Sequence, residues 1–129
     1  MGCRFIDTNI FIEVFARSGI KSEKSKILLK KDEGLVTTGL VITEIEWVLR
    51  SAYLLDRVVI SKYIRNILSS DVFVENKKML INVLDYYRNN AVDWTDCLNM
   101  FWMREEKLNE VYSYDKDLDK YDWIRRFEP

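Results

Sequence analysis

The sequence predicts an α/β fold of short strands alternating with longer amphipathic helices. Two observations carry that prediction. Short apolar runs such as Arg4-Phe5-Ile6 and Leu35-Val36-Thr37-Thr38 stand apart from stretches whose apolar residues recur every three or four positions. The chain also holds only four Gly and one Pro, so its 129 residues leave little room for linkers and suit one domain over 1–129. Strands joined through helices take right-handed crossovers, which give a mostly parallel sheet between helical layers.

Taken in order, Arg4-Phe5-Ile6 reads as a short buried strand ending at Asp7. Thr8 or Asn9 can cap a helix over 9–18, with Ile10, Phe11, Val14 and Phe15 on one face and Gly19 as its breaker. Ser22 to Lys31 forms a second helix whose apolar part is Ile27, Leu28 and Leu29, stopped by Gly34. After the strand at Leu35–Thr38, a helix over Val41 to Leu54 sets Ile42, Ile45, Leu49 and Ala52 at core spacing, with Glu44 near its start. A helix from Asp56 or Arg57 to Leu68 and the strand Val72-Phe73-Val74 follow. Asn76 to Arg88 is helical, with Leu80, Val83, Leu84 and Tyr87 inward. Asp93 caps a helix over 94–107, Val111 to Tyr114 is a strand ending at Asp115, and Trp123 to Phe127 suits a short edge strand.

Composition removes several function classes. The chain has no histidine, which excludes Ser-His-Asp and Cys-His triads, histidine-based ribonuclease chemistry and zinc sites with His ligands. Two distant cysteines, Cys3 and Cys97, form no CxxC pair and read as reduced packing residues. A net charge of −1 gives no general pull on nucleic acid, so a polyanion must be held by local basic patches or by bound metal. No apolar run is long enough to span a bilayer and no secretory h-region is visible, so a cytoplasmic protein is expected.

What remains is carboxylate chemistry. In a parallel α/β sheet, the carboxyl ends of strands and the amino ends of the following helices share one edge, where ligands bind. Asp7 and Asp115 end two strands, while Glu44 and Asp96 lie in the first turns of two helices, so all four fall on that edge. Two unit charges ~4 Å apart at an effective dielectric of about 20 repel by roughly 4 kcal/mol, so such a cluster takes up protons or cations. Its hard oxygen donors favour Mg²⁺ or Mn²⁺. Each acid also has a plainer reading. Asp7 suits a helix cap, Asp93 with Asp96 a capping box, Glu44 a solvated charge, and Asp115-Lys116-Asp117-Leu118-Asp119 a polar turn. Asp93, Asp117 and Asp119 are further candidates as ligands or outer-shell groups, and Thr8 and Asn9 as supports for the first acid, with Ser113 behind them.

On these residues the chain resembles the PIN domain, and within it the VapC-like ribonuclease toxins of prokaryotic toxin–antitoxin pairs. Phe5-Ile6-Asp7-Thr8-Asn9 resembles the family's opening strand and first acid, and Val41-Ile42-Thr43-Glu44-Ile45 its glutamate-bearing helix. Val92-Asp93-Trp94-Thr95-Asp96-Cys97-Leu98 is similar to its "VDFxDAL" segment and Tyr114-Asp115-Lys116-Asp117-Leu118-Asp119 to its "FDxDF" segment. The departures are Cys97, Asn99 and Tyr114. The resemblance implies a three-layer α/β/α fold with strand order 3-2-1-4-5, Mg²⁺- or Mn²⁺-dependent cleavage of RNA, a homodimer and a cognate antitoxin protein that blocks the site.

The expected function is therefore a metal-dependent endoribonuclease using Asp7, Glu44, Asp96 and Asp115 as metal ligands and catalytic acids, leaving 5′-phosphate and 3′-hydroxyl ends. Lys21, Lys24, Lys26, Arg50, Arg125 and Arg126 are candidate RNA-backbone contacts, each also explicable as charged surface. A phosphotransferase with a nucleophilic Asp wants a second carboxylate where Asn9 stands, and a receiver domain wants an acceptor Asp where Val74-Glu75-Asn76 stands. The remaining alternative is a non-catalytic PIN-like module that binds RNA or protein, with Trp47, Trp102, Tyr53 and Tyr63 as a docking surface or, more simply, as core packing.

Overall fold

The computed structural model describes residues 2–129. Strand β1 (Arg4–Phe5) leads into helices α1 (Thr8–Ala16) and α2 (Ile20–Lys31). Strand β2 (Leu35–Thr37) leads into α3 (Gly39–Ser51) and α4 (Arg57–Leu68), and β3 (Phe73–Val74) into α5 (Lys77–Asn89) and α6 (Trp94–Glu105). Strand β4 (Glu110–Tyr112), a 3₁₀ helix (Lys116–Lys120) and β5 (Arg125–Phe127) complete the chain. Among the described residues no helix is long and apolar enough to cross a membrane.

The helices form where the apolar spacing is regular and begin where a side chain takes up a free backbone N–H. Asp7, one residue before the expected cap, accepts from the Thr8 N–H at 2.8 Å. Thr38 caps α3 through the Val41 N–H, and Asp56 caps α4 through the Val59 N–H at 2.9 Å. Gly19 enters α2 at φ +112°, a conformation that side-chain-bearing residues avoid. Helix α2 departs from its expected face: Ser22 and Ser25 are buried and Ile27 is exposed. Small residues let α2 approach α1, and the Ser22 hydroxyl donates to the Arg17 carbonyl at 3.0 Å.

The core lies where the helical spacing put it. Ile42, Ile45, Leu49, Val83 and Leu84 are fully buried, and Leu80 and Tyr87 nearly so. Ile60, Ile64, Phe11 and Trp94 join the same cluster, while Ala52 is exposed. Burying a side chain of this size stabilises by about 1.5–3 kcal/mol, which is why the helical layer holds together around such short strands.

The sheet is divided. Parallel strands β1, β2 and β3 pair in that order, and β4 pairs with β5, also in parallel. Both halves of the expected order 3-2-1-4-5 are present, whereas no ladder joins β1 to β4 among the described residues. One face of the three-stranded sheet is open. Phe5, Val36 and Phe73 are register neighbours across the three strands, and Phe5 and Phe73 are 56% and 61% exposed. The expectation of a fully buried first strand is corrected accordingly: only Ile6, just past it, is buried.

Candidate active site

The acids fall into two groups. The first surrounds Thr8. Its N–H is held by Asp7, and its buried hydroxyl donates to Glu44 Oε2 at 2.5 Å, so one residue joins the end of β1 to α3. Asp7 and Glu44 are themselves exposed, as is Asn9.

The second group sits between the start of α6 and the 3₁₀ helix. A cavity of about 120 Å³ is lined by Asp93, Asp96, Asp115 and Asp117, together with Val92, Met100, Lys120 and Tyr121. Asp93 occupies the N-cap position of α6, but its side chain makes no capping bond, so the capping-box explanation for Asp93 and Asp96 does not hold here. Partial burial pushes the Asp96 carboxyl above its ordinary range, and the negative charges of Asp93, Asp115 and Asp117 push it the same way. Asp115 is held by its own loop: its N–H donates to Ser113 Oγ and its Oδ1 accepts from the Asp117 N–H, both at 3.0 Å.

The start of α6 is secured from neighbouring helices. Trp94 Nε1 donates to Thr43 Oγ1 at 2.9 Å, which sets the second acid group beside the helix carrying Glu44. The Arg57 guanidinium donates to the carbonyls of Tyr87 and Val92 at 2.8 and 2.7 Å and stacks 4.3 Å over the Tyr87 ring. It thereby binds the end of α5 to the turn before Asp93. Nothing in the sequence marks Arg57 as a support, because its partners are backbone carbonyls of α5 and of the turn after it.

In kind, the acids fit a hard divalent cation, since every donor is a carboxylate oxygen and Asp96 already lies in the field of three aspartates. In spacing, no group of three or more Asp, Glu or Cys side chains among the described residues stands close enough to hold a metal ion. Asp7 and Glu44 are not among the residues that line the Asp96–Asp115 cavity, and no ladder joins β1 to β4 among the described residues. Lys120 is the one cationic side chain in the lining of that cavity.

The basic candidates separate as well. Lys21 and Lys24 are exposed on α2, and Lys26 pairs with Glu23 at 3.4 Å. Arg50 is bound to the buried Glu46 at 2.8 Å, and Tyr87 donates its hydroxyl to the same carboxylate at 2.8 Å. Arg126, whose side chain is only 11% exposed, holds Asp119, Glu128 and the Ser113 carbonyl. Arg50 and Arg126 therefore serve as internal ties, which the sequence could not separate from surface charge. Asp119 is bound up with Arg126, which lowers its pKa, and does not line the cavity. Arg125 remains 72% exposed. Of the four aromatic docking candidates, Trp47 and Trp102 are exposed, Tyr63 stacks on Phe15 at 4.7 Å, and Tyr53 accepts from Arg17.

A carboxylate-lined cavity at the amino end of a helix, in a fold of parallel strands and six helices, defines a class that the family comparison names. The model of the PIN domain matches residues 4–124, and the chain belongs to that family. Among solved structures, a crystal structure of Mycobacterium tuberculosis VapC20, a sarcin-ricin loop cleaving toxin, is similar over 97% of this chain and 98% of that one, with 18% identity and a TM-score of 0.44. No curated protein matches the chain.

Proposed function

We propose that this PIN domain is a metal-dependent endoribonuclease of the VapC toxin kind, acting at the cavity between α6 and the 3₁₀ helix. The observation that supports it is the convergence of Asp93, Asp96, Asp115 and Asp117 on one cavity, with Asp96 raised by the field of the others. Those positions coincide with two of the segments that carry the family resemblance.

In this reading Asp96 and Asp115 would hold a Mg²⁺ or Mn²⁺ ion, with Asp7 and Glu44 as the other acids of the site and Asp93 and Asp117 in support. A bound divalent ion supplies a water of lowered pKa and neutralises phosphate charge. A carboxylate of the cluster would take the proton of the attacking water and release it to solvent afterwards. Thr8 orients Glu44 through its hydroxyl, and Lys120 offers a cation to the phosphate that enters the cavity. In-line attack leaves a 5′-phosphate and a 3′-hydroxyl. The same reading includes a cognate antitoxin covering the site, a homodimer in the cytoplasm, and one domain whose two half-sheets belong to a single 3-2-1-4-5 sheet.

The test is cleavage of labelled RNA by the purified chain in Mg²⁺ or Mn²⁺. Asp96→Asn should lose at least about 100-fold in rate, and excess EDTA should stop cleavage by the parent. Undiminished cleavage in either case overturns the reading. RNA binding without cleavage by the parent, at any divalent ion tried, favours the non-catalytic module instead.

A further inference from the structure

Strand β4 and the residues just after it carry aromatic rings that the nuclease reading leaves unused. Tyr112 is 74% exposed and Tyr114 69% exposed. Phe127 of β5 is the register partner of Tyr112, with the two rings 5.8 Å apart, and Arg125 lays its guanidinium 5.0 Å from the Phe127 ring centre. Alternation along the strands puts Glu110, Tyr112, Arg125 and Phe127 on one face. The backbone beneath the rings is fixed: the Ser113 N–H donates to the Phe127 carbonyl, and Arg126 donates to the Ser113 carbonyl, both at 3.0 Å.

We propose that this face is a stacking platform for unpaired bases of an RNA strand whose backbone continues into the Asp96–Asp115 cavity, an inference that rests on the nuclease reading. Three features favour single-stranded RNA as the occupant. Rigid, exposed aromatic rings beside a cation are what base stacking uses, because every base offers a π-face. The platform adjoins the acids along the chain, since Tyr114 immediately precedes Asp115, which lines the cavity. The exposed rings by themselves are also on the scale of a few bases rather than of a second copy of the chain. Each ring buries roughly 150–250 Å², so the two exposed tyrosines fall short of the ~800 Å² per partner that a stable protein interface takes.

The experiment uses Asp96→Asn as parent, so that RNA survives the measurement. The probes are a fluorescein-labelled, unstructured mixed-sequence RNA strand and the same strand annealed to its complement, titrated by anisotropy. Tyr112→Leu and Tyr114→Leu should each weaken single-strand binding roughly 5- to 100-fold and leave duplex binding unchanged. Tyr112→Phe and Tyr114→Phe should bind like the parent, which separates loss of a π-face from loss of fold. Single-strand binding unchanged in both leucine variants overturns the platform while sparing the nuclease reading. A parent that binds no RNA, and a cleavage-competent chain that cuts none, overturns both. Light scattering that finds a dimer dissolved by the leucine substitutions, with RNA affinity unaltered, assigns the face to a second copy and likewise overturns the proposal.

Discussion

Around Thr8 the two carboxylates are satisfied: Asp7 holds a backbone N–H and Glu44 takes a hydroxyl hydrogen bond from a buried threonine. Around Asp96 the carboxylates oppose one another, and α6 starts without a side-chain cap. In the first arrangement the carboxylates themselves accept the bonds that hold them, Asp7 from its neighbour and Glu44 across to α1. The second is fastened from other helices, by Arg57 of α4 and by Thr43 of α3, which takes the Trp94 indole N–H. A site that gathers like charges needs such external fastening, because its own side chains cannot supply attraction in the absence of a cation.

The contrast can be broken most severely at Arg57. Replacing it by alanine removes two charge-assisted bonds to backbone carbonyls, so unfolding by urea should show a loss of about 2–3 kcal/mol, with faster amide exchange in 91–97 than around Thr8. A loss under half a kcal/mol, or exchange unchanged in that turn, would show that α6 holds its own start. A smaller effect is expected at Thr8→Val, which deletes the bond to Glu44 and keeps the shape. Stability should fall by about 1 kcal/mol, while RNA cleavage falls by roughly 10- to 100-fold, as when a group orienting a ligand carboxylate is removed. Equal, minor effects on both would make Thr8 a packing residue only.

The smallest effect sharpens the other side. With its pKa raised on folding, Asp96 contributes most favourably when protonated, below the ordinary carboxylate range. That contribution is lost as pH rises through the raised pKa. Metal-free Asp96→Asn should therefore melt slightly above the parent at neutral pH, and the gap should close on acidification. A variant that melts lower at neutral pH contradicts the repulsion seen in the structure.

All six helices were legible in the sequence to within a few residues, because apolar spacing and capping residues are local signals. Leu80, Val83, Leu84 and Tyr87 point inward as their spacing requires. Less was legible in the sheet. Strands of two or three residues carry little periodic signal, and whether β1 and β4 pair depends on the packing of the whole chain. The 3₁₀ helix after Asp115 was visible only as a polar turn. At the site, the segments around Asp96 and Asp115 were readable from order and spacing, and the structure brings these two aspartates to one cavity. The tie of exposed Arg50 to the buried Glu46 and Tyr87 was not, since a glutamate on a helix is usually solvated and only the tertiary fold reveals its partners.

One neighbour of the acids bears on how the molecule can be handled. Cys97 is wholly buried, and burial above all lifts its thiol to about 11, whereas Cys3 is exposed before the start of β1, the end opposite Asp7. Thiolate, not thiol, reacts with maleimides and oxidants, so modification falls on Cys3 and spares α6. The wild-type chain thus carries a single addressable handle for a dye or a surface tether, set apart from the cavity it would be used to observe.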